Sequence, residues 1–293
     1  MTPLELVRLP SLMALTSGRR DVVIGLLDGP VATSHPDLAS DSIREIRDVP
    51  GRCADVSSAA CQHGTFVAGI LVADRSSSAP AICPDCSLVV RPIFGETTAQ
   101  AGHTPSATPQ QVALAIHECI DAGARVLNFS AAMQKPSITD DRELQDALDH
   151  ALTRDTIVVV AVGNQGMVGS SAITRHPWVI PVVAYDLSGR PMSQSNLGNS
   201  IGKRGLGAPG EGVTSLYSEG ELRTWVGTSL AAAFVSGTIA LLWSQFPSAT
   251  AGQIKSAITS AHGQRRTSIV PPLLDAWGAH QRLAGNVPER ITA

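Results

Sequence analysis

Five short stretches constrain this chain more than anything else in it: "DVVIGLLD" at 21–28, "SLVVRPI" at 87–93, "ARVLNFS" at 124–130, "TIVVVAV" at 156–162 and "WVIPVVA" at 178–184. Each is continuously apolar rather than alternating, so each must be covered on both faces. That is the condition of strands in a parallel sheet with helices on either side. The segments between them supply such helices. "TPQQVALAIHECIDAG" carries Thr108 as N-cap, Pro109 in the first turn, Val112, Ile116, Cys119 and Ile120 at helical spacing, and Gly123 as a stop. "DDRELQDALDHAL" places acids in its first turn and Leu144, Leu148 and Leu152 at i, i+4 and i+8. The predicted fold class is α/β, with helices layered on both faces of a mostly parallel central sheet.

A chain of 293 residues is long enough for one large α/β domain or two small ones. It has no internal repeat, and the Gly- and Ser-rich stretch 186–212 reads as surface turns joining strands rather than as a linker. A single domain over 1–293 is therefore expected. The 22 basic and 25 acidic residues leave a formal charge of −3, with no basic cluster beyond "GRR" and "GQRR", so nucleic acid is not expected as a partner. No apolar run approaches the ~20 residues that cross a bilayer. The N-terminus lacks a basic segment followed by an unbroken apolar core. These features predict a cytoplasmic protein without membrane association.

Five cysteines are an odd number for a disulfide framework. Cys119 falls on an apolar helical face. The "CPDC" of Cys83 and Cys86 leads into a strand, whereas a thioredoxin-like redox site leads into a helix. Cys53 and Cys61 match no familiar zinc spacing. A local Cys53–Cys61 bridge stays open, and packing is the reading adopted for all five. No metal and no cofactor are expected.

Four positions carry possible chemistry. Asp28 ends the first apolar run, at the strand end where α/β sheets place ligands, although an acid there is also an ordinary turn residue. In "CQHGTFVAGILVA", His63 and Gly64 open an apolar helical run, where a histidine can equally be a cap or a core residue. His117 is followed by "ECI" and so lacks the metalloprotease pattern. In "VVVAVGNQG", Gly163 and Asn164 end a strand, and the amide is either a turn residue or a donor to a developing oxyanion. In "WVGTSLAAAF", Ser229 stands between a glycine and a run of small residues, as a helix cap or as a nucleophile.

The words "LLDGPV", "HGTFVAG", "AVGNQG" and "GTSLAAA", in that order and spread over 28–235, resemble the subtilisin-like serine proteases. The resemblance implies a three-layer α/β/α fold. It also implies a catalytic triad of Asp28, His63 and Ser229, with an oxyanion hole formed by Asn164 and the backbone N–H of Ser229. Substrate would lie along Ser130, Ala131 and Ala132 on one side and Ala161, Val162 and Gly163 on the other. The pattern departs from the family at several points. Gly29 and Pro30 follow the aspartate where Thr or Ser and then Gly are usual. Phe66 replaces a common histidine, Leu230 a common methionine and Ala233 a common proline. "SAAM", Ser130 to Met133, replaces the usual "SLGG", which predicts a narrower or shifted first specificity pocket.

"LDGPVATSHPDL", with residues 1–20 as a short preface in place of a folding prodomain, is similar to the cyanobactin-type subtilases that process ribosomal peptide precursors. Some relatives in that group cleave, while others close a ring under a helical insertion between Asp and His. Here 35 positions separate Asp28 from His63, which leaves little room for such a lid. The expected activity is hydrolysis of a peptide or precursor peptide, with macrocyclisation and general degradation as alternatives.

Overall fold

The computed structural model describes residues 1–46, 53–96, 107–130, 141–218, 220–260 and 266–285. Seven strands form one sheet: β1 (Val23–Asp28), β2 (Ile43–Glu45), β3 (Ser87–Pro92), β4 (Val126–Phe129), β5 (Ile157–Ala161), β6 (Ile180–Tyr185) and β7 (Leu206–Pro209). Their order is β2-β3-β1-β4-β5-β6-β7, and every neighbouring pair is parallel. The five apolar runs all become strands. Along each strand the side chains alternate between two cores: Ile24, Leu26, Val126, Ile157 and Val159 enter one, while Leu27, Leu127, Phe129, Val158 and Val160 enter the other. Both cores are apolar, which is why the sequence shows runs and not alternation.

The described residues also form a short 3-10 helix (Ser40–Ser42) and ten α-helices: α1 (Pro3–Leu6), α2 (Pro10–Met13), α3 (Ala59–Val72), α4 (Pro109–Asp121), α5 (Arg142–Thr153), α6 (Ala172–Arg175), α7 (Asn199–Arg204), α8 (Thr228–Gln245), α9 (Ala251–Thr259) and α10 (Ala276–Gly285). Side chains of α3 and α8 belong to the first core and those of α4 and α5 to the second, giving the expected three layers. Thr108 caps α4 in a reciprocal pair with Gln111, as its sequence position predicts. On α5, Leu144 and Leu148 are buried, but Leu152 in the last turn is 43% exposed, so the predicted stripe ends one turn early.

The stretch 186–212 is more ordered than its composition suggests, for it contains α7 and the edge strand β7. A small antiparallel hairpin of β8 (Val213–Leu216) and β9 (Leu222–Trp225) follows. Residues 1–20 pack into the same body. Val7, Leu9 and Leu12 are fully buried. Val7 O accepts the N–H of Ala276, and Arg8 pairs with Asp275 at 3.1 Å.

Candidate active site

The ends of β1, β4 and β5 and the starts of α3 and α8 meet at the carboxyl edge of the sheet, where open α/β folds place their chemistry. Asp28 ends β1 and is fully buried. Its Oδ1 accepts the Gly29 N–H and the Nδ1–H of His63, each at 2.6 Å. The helix can come this close because a glycine on each segment faces the backbone of the other. A Cβ on Gly29 would lie 2.0 Å from Ala60 O, and one on Gly64 would lie 2.3 Å from Pro30 O. The His63 side chain remains 30% exposed. Burial pulls its pKa down, but the Asp28 charge and hydrogen bond outweigh that, so the net effect is a rise above the ordinary value.

The segment leading into α3 is covalently tied. Cys53 and Cys61 form a disulfide with their Cα atoms 5.4 Å apart, which corrects the packing reading for these two. Bonded to each other, their sulfurs are not free to ligate zinc. Glu96 accepts from the Asp55 N–H at 3.0 Å and from Ser58 Oγ at 3.3 Å. Ser218 Oγ donates to Val56 O. Cys83, Cys86 and Cys119 are buried free thiols, and burial pushes Cys119 up to about 12.

Trp225 of β9 leans across α3. Its ring centroid is 6.0 Å from that of His63 and 4.8 Å from that of Phe66, stacked on both, while Tyr217 meets it edge-on at 5.9 Å. Phe66, where relatives commonly have histidine, is thus the apolar floor beneath the indole. Sequence reasoning missed Trp225, because nothing local links it to a helix more than 150 residues earlier.

Ser229 is the second residue of α8 and is 7% exposed. Its Oγ donates to Ser130 O at 2.7 Å. The cap, Gly227, has φ +148°, and a Cβ there would lie 3.2 Å from Asn164 Nδ2, so glycine alone suits the position. Thr228 N donates to Asn164 Oδ1 at 3.0 Å, and Thr228 Oγ1 accepts the Gly163 N–H at 3.2 Å. With its oxygen occupied, the Asn164 amide keeps Nδ2 as its donor, next to the N-terminus of α8. Thr228, which the sequence analysis did not single out, thus joins Asn164 and Gly163 to the first turn of α8.

Ser130 follows β4. Its N–H donates to Leu27 O at 3.2 Å, and its Oγ accepts from Asn128 Nδ2 at 2.6 Å. Asn128 Oδ1 in turn accepts from Ser236 Oγ at 2.8 Å. This buried chain connects the strand end to the middle of α8. Ala161 and Val162 turn their side chains into the cores, so along 161–163 the backbone is what a ligand could meet. Ala131, Ala132 and Met133 lie outside the described residues. A hydroxyl at a helix N-terminus, an imidazole held by a buried carboxylate, and an oriented amide donor are a set suited to acyl transfer.

Known proteins resemble this chain in sequence and in fold. A family model described as "Subtilase family" matches residues 19–278. Subtilisin DY of Bacillus licheniformis is 28% identical over 250 residues, spanning 82% of this chain and 83% of that protein. The major intracellular serine protease of Bacillus subtilis (strain 168) is 28% identical over 247 residues, spanning 82% and 73%. The protease domain of PatA superposes with a TM-score of 0.83 at 26% identity, covering 92% of this chain and 98% of that one. The prenylagaramide maturation protease PagA gives 0.81 at 24% identity, covering 94% and 98%.

Proposed function

We propose that this chain, which belongs to the subtilase family and is a serine endopeptidase, cuts its substrate with Ser229 as nucleophile, His63 as general base and acid, and Asp28 as the group that orients and stabilises the imidazole. Ser229 Oγ leaves Ser130 O for His63 Nε2, gives up its proton there and attacks the peptide carbonyl carbon. The carbonyl oxygen becomes an oxyanion held by Asn164 Nδ2 and the Ser229 N–H, aided by the positive end of α8. The imidazolium then delivers the proton to the leaving amine. Water, deprotonated by the same imidazole, then attacks the acyl carbon, the bond from that carbon to Ser229 Oγ breaks, and the imidazolium returns the proton to Ser229 Oγ as the carboxylic product leaves. Backbone groups of Ser130, with Ala131 and Ala132, and of Ala161 to Gly163 are the proposed substrate edges. The observation that carries this reading is the 2.6 Å Asp28–His63 bond beside a helix N-terminus that presents Ser229 and orients Asn164.

The proposed substrate is a ribosomally made peptide precursor. The likeness to PatA, a patellamide maturation protease at 26% identity, supports this over general degradation. The 35-position Asp28–His63 interval supports hydrolysis over ring closure. The proposed compartment is the cytoplasm, supported by the intracellular relative. The Cys53–Cys61 bridge, of a kind that persists in oxidising surroundings, argues the other way. No helix among the described residues is long and apolar enough to cross a membrane.

A fluorophosphonate probe tests the nucleophile: labelling of the wild type that disappears in Ser229→Ala is expected, and an unlabelled wild type at neutral pH overturns the reading. Mass measurement of products from a peptide library then separates cutting from cyclisation, because a ring is lighter than its linear counterpart by one water.

A further inference from the structure

Asn164 and the residues after it, Gln165 to Val168, are exposed on their outer side. A donor to a transient oxyanion must nevertheless be fixed to within a fraction of an ångström, or it spends part of its time elsewhere. Thr228 fixes the amide from the front. The rear of the loop is held by backbone bonds such as Gly166 N–H to Gln194 O at 2.7 Å and by the buried side chain of Asn196, 7% exposed. Its backbone N–H donates to Gly163 O at 3.0 Å. Its Nδ2 donates to Val162 O at 2.9 Å and to Gln165 Oε1 at 2.7 Å. Its Oδ1 accepts the Met167 N–H at 2.9 Å.

Both protons and the oxygen of this amide are thus used, and the partners straddle Asn164: residues 162 and 163 before it, 165 and 167 after it. The segment carrying Asn196 is itself anchored. Ser195 Oγ accepts the Ala184 N–H on β6 at 3.2 Å, and Leu197 N donates to Met167 O at 2.9 Å. Two residues in the loop, Gly163 and Gly166, have positive φ, so the backbone could relax into other conformations if the clamp were cut.

We infer that Asn196 is a positioning residue for turnover: its amide, bridging the two sides of Asn164, holds that donor where the oxyanion forms. This rests on the proposed role of Asn164. Asn196 touches no reacting atom. Its removal should lower kcat by misplacing Asn164 and leave ground-state binding nearly alone.

The test is a double-mutant cycle on the full chain. It is read as kcat and KM on the fluorogenic peptide that the wild type cleaves fastest in a library, and as the rate of fluorophosphonate labelling. Asn164→Ala is expected to cost ~10²–10³-fold in kcat. Asn196→Asp keeps the volume and the acceptor for Met167 but replaces the two donors with an oxygen, and it should cost about 10–100-fold in kcat with little change in KM. In the Asn164→Ala background the same change should cost almost nothing further. An equal loss in both backgrounds, or undiminished kcat in a folded Asn196→Asp protein, overturns the inference. An Asn164→Ala protein with normal kcat overturns instead the role of Asn164. Gln165→Ala removes one of the four bonds from an exposed position and leaves the core untouched. Should Asn196→Asp fail to fold, this variant decides: a several-fold fall in kcat that vanishes in the Asn164→Ala background supports the clamp, and no fall sinks it.

Discussion

His63 Nδ1 lies 2.6 Å from Oδ1 of Asp28, and the other carboxylate oxygen, buried with it, has no donor among the described residues. Gly29 gives its N–H to Oδ1 and brings no hydroxyl, and Pro30 has no N–H, so neither neighbour serves the second oxygen. The carboxylate's charge is therefore directed at the imidazole, whose pKa it raises against the opposing effect of burial. As the proposed general base, His63 works only when neutral. The acid limb of kcat/KM should accordingly fall at a pH above 6.5, the ordinary histidine value. Linkage runs in the opposite direction: protonated His63 stabilises the fold fully below pH 6.5, and that contribution is lost as pH rises through the raised value. Asp28→Asn should abolish both effects and cut kcat by about 10⁴-fold. A pH–rate profile of wild type and variant checks this, and an unmoved acid limb contradicts it.

Gly29→Ser, which restores the more usual residue of the family, should fail. Its Cβ would fall 2.0 Å from Ala60 O, a backbone atom of α3 that cannot rotate away. The expected loss is about 2–3 kcal/mol or more, together with most of the activity, because relief requires moving the helix that carries His63. Urea unfolding gives the stability, and a variant as stable as wild type would show that the two segments are not in backbone contact.

Trp225→Ala should lower kcat/KM by roughly 2- to 12-fold, from the ~0.5–1.5 kcal/mol of an aromatic pair, and lower the melting temperature by uncovering Phe66. Trp225→Phe should recover most of the stability. Steady-state kinetics with thermal melts separates the two contributions.

Thiol counting should distinguish three populations. The native protein reacts slowly with an alkylating reagent, since Cys83, Cys86 and Cys119 are buried. Unfolding without reductant exposes those three thiols, and unfolding with reductant exposes all five. Cys53→Ser should destabilise by about 2–3 kcal/mol, the chain-entropy estimate for so short a loop. Recovery of five thiols without reductant would exclude the bridge.

The five apolar runs and the Thr108 and Gly123 boundaries of α4 were legible because each is a local pattern. β7 was not, since "LGAP" is short, small and glycine-containing, and becomes a strand only by pairing with β6. Asp28, His63, Asn164 and Ser229 could be named as candidates from word order, through the family resemblance it carries. Thr228, Trp225 and Asn196 could not, because their importance lies in bonds to residues 64, 162 and 34 positions away. A lone asparagine in "SQSNLG" looks like any turn residue until its four partners are seen.

Helix α8 has almost no solvent face: Thr228 through Ser244 are all buried. A rod so enclosed cannot slide or fray at its first turn without opening the centre of the molecule. The Ser229 hydroxyl, the proposed nucleophile, therefore inherits the durability of the entire core. On warming, catalytic competence and cooperative melting should be lost together, with no separate, earlier softening at Ser229.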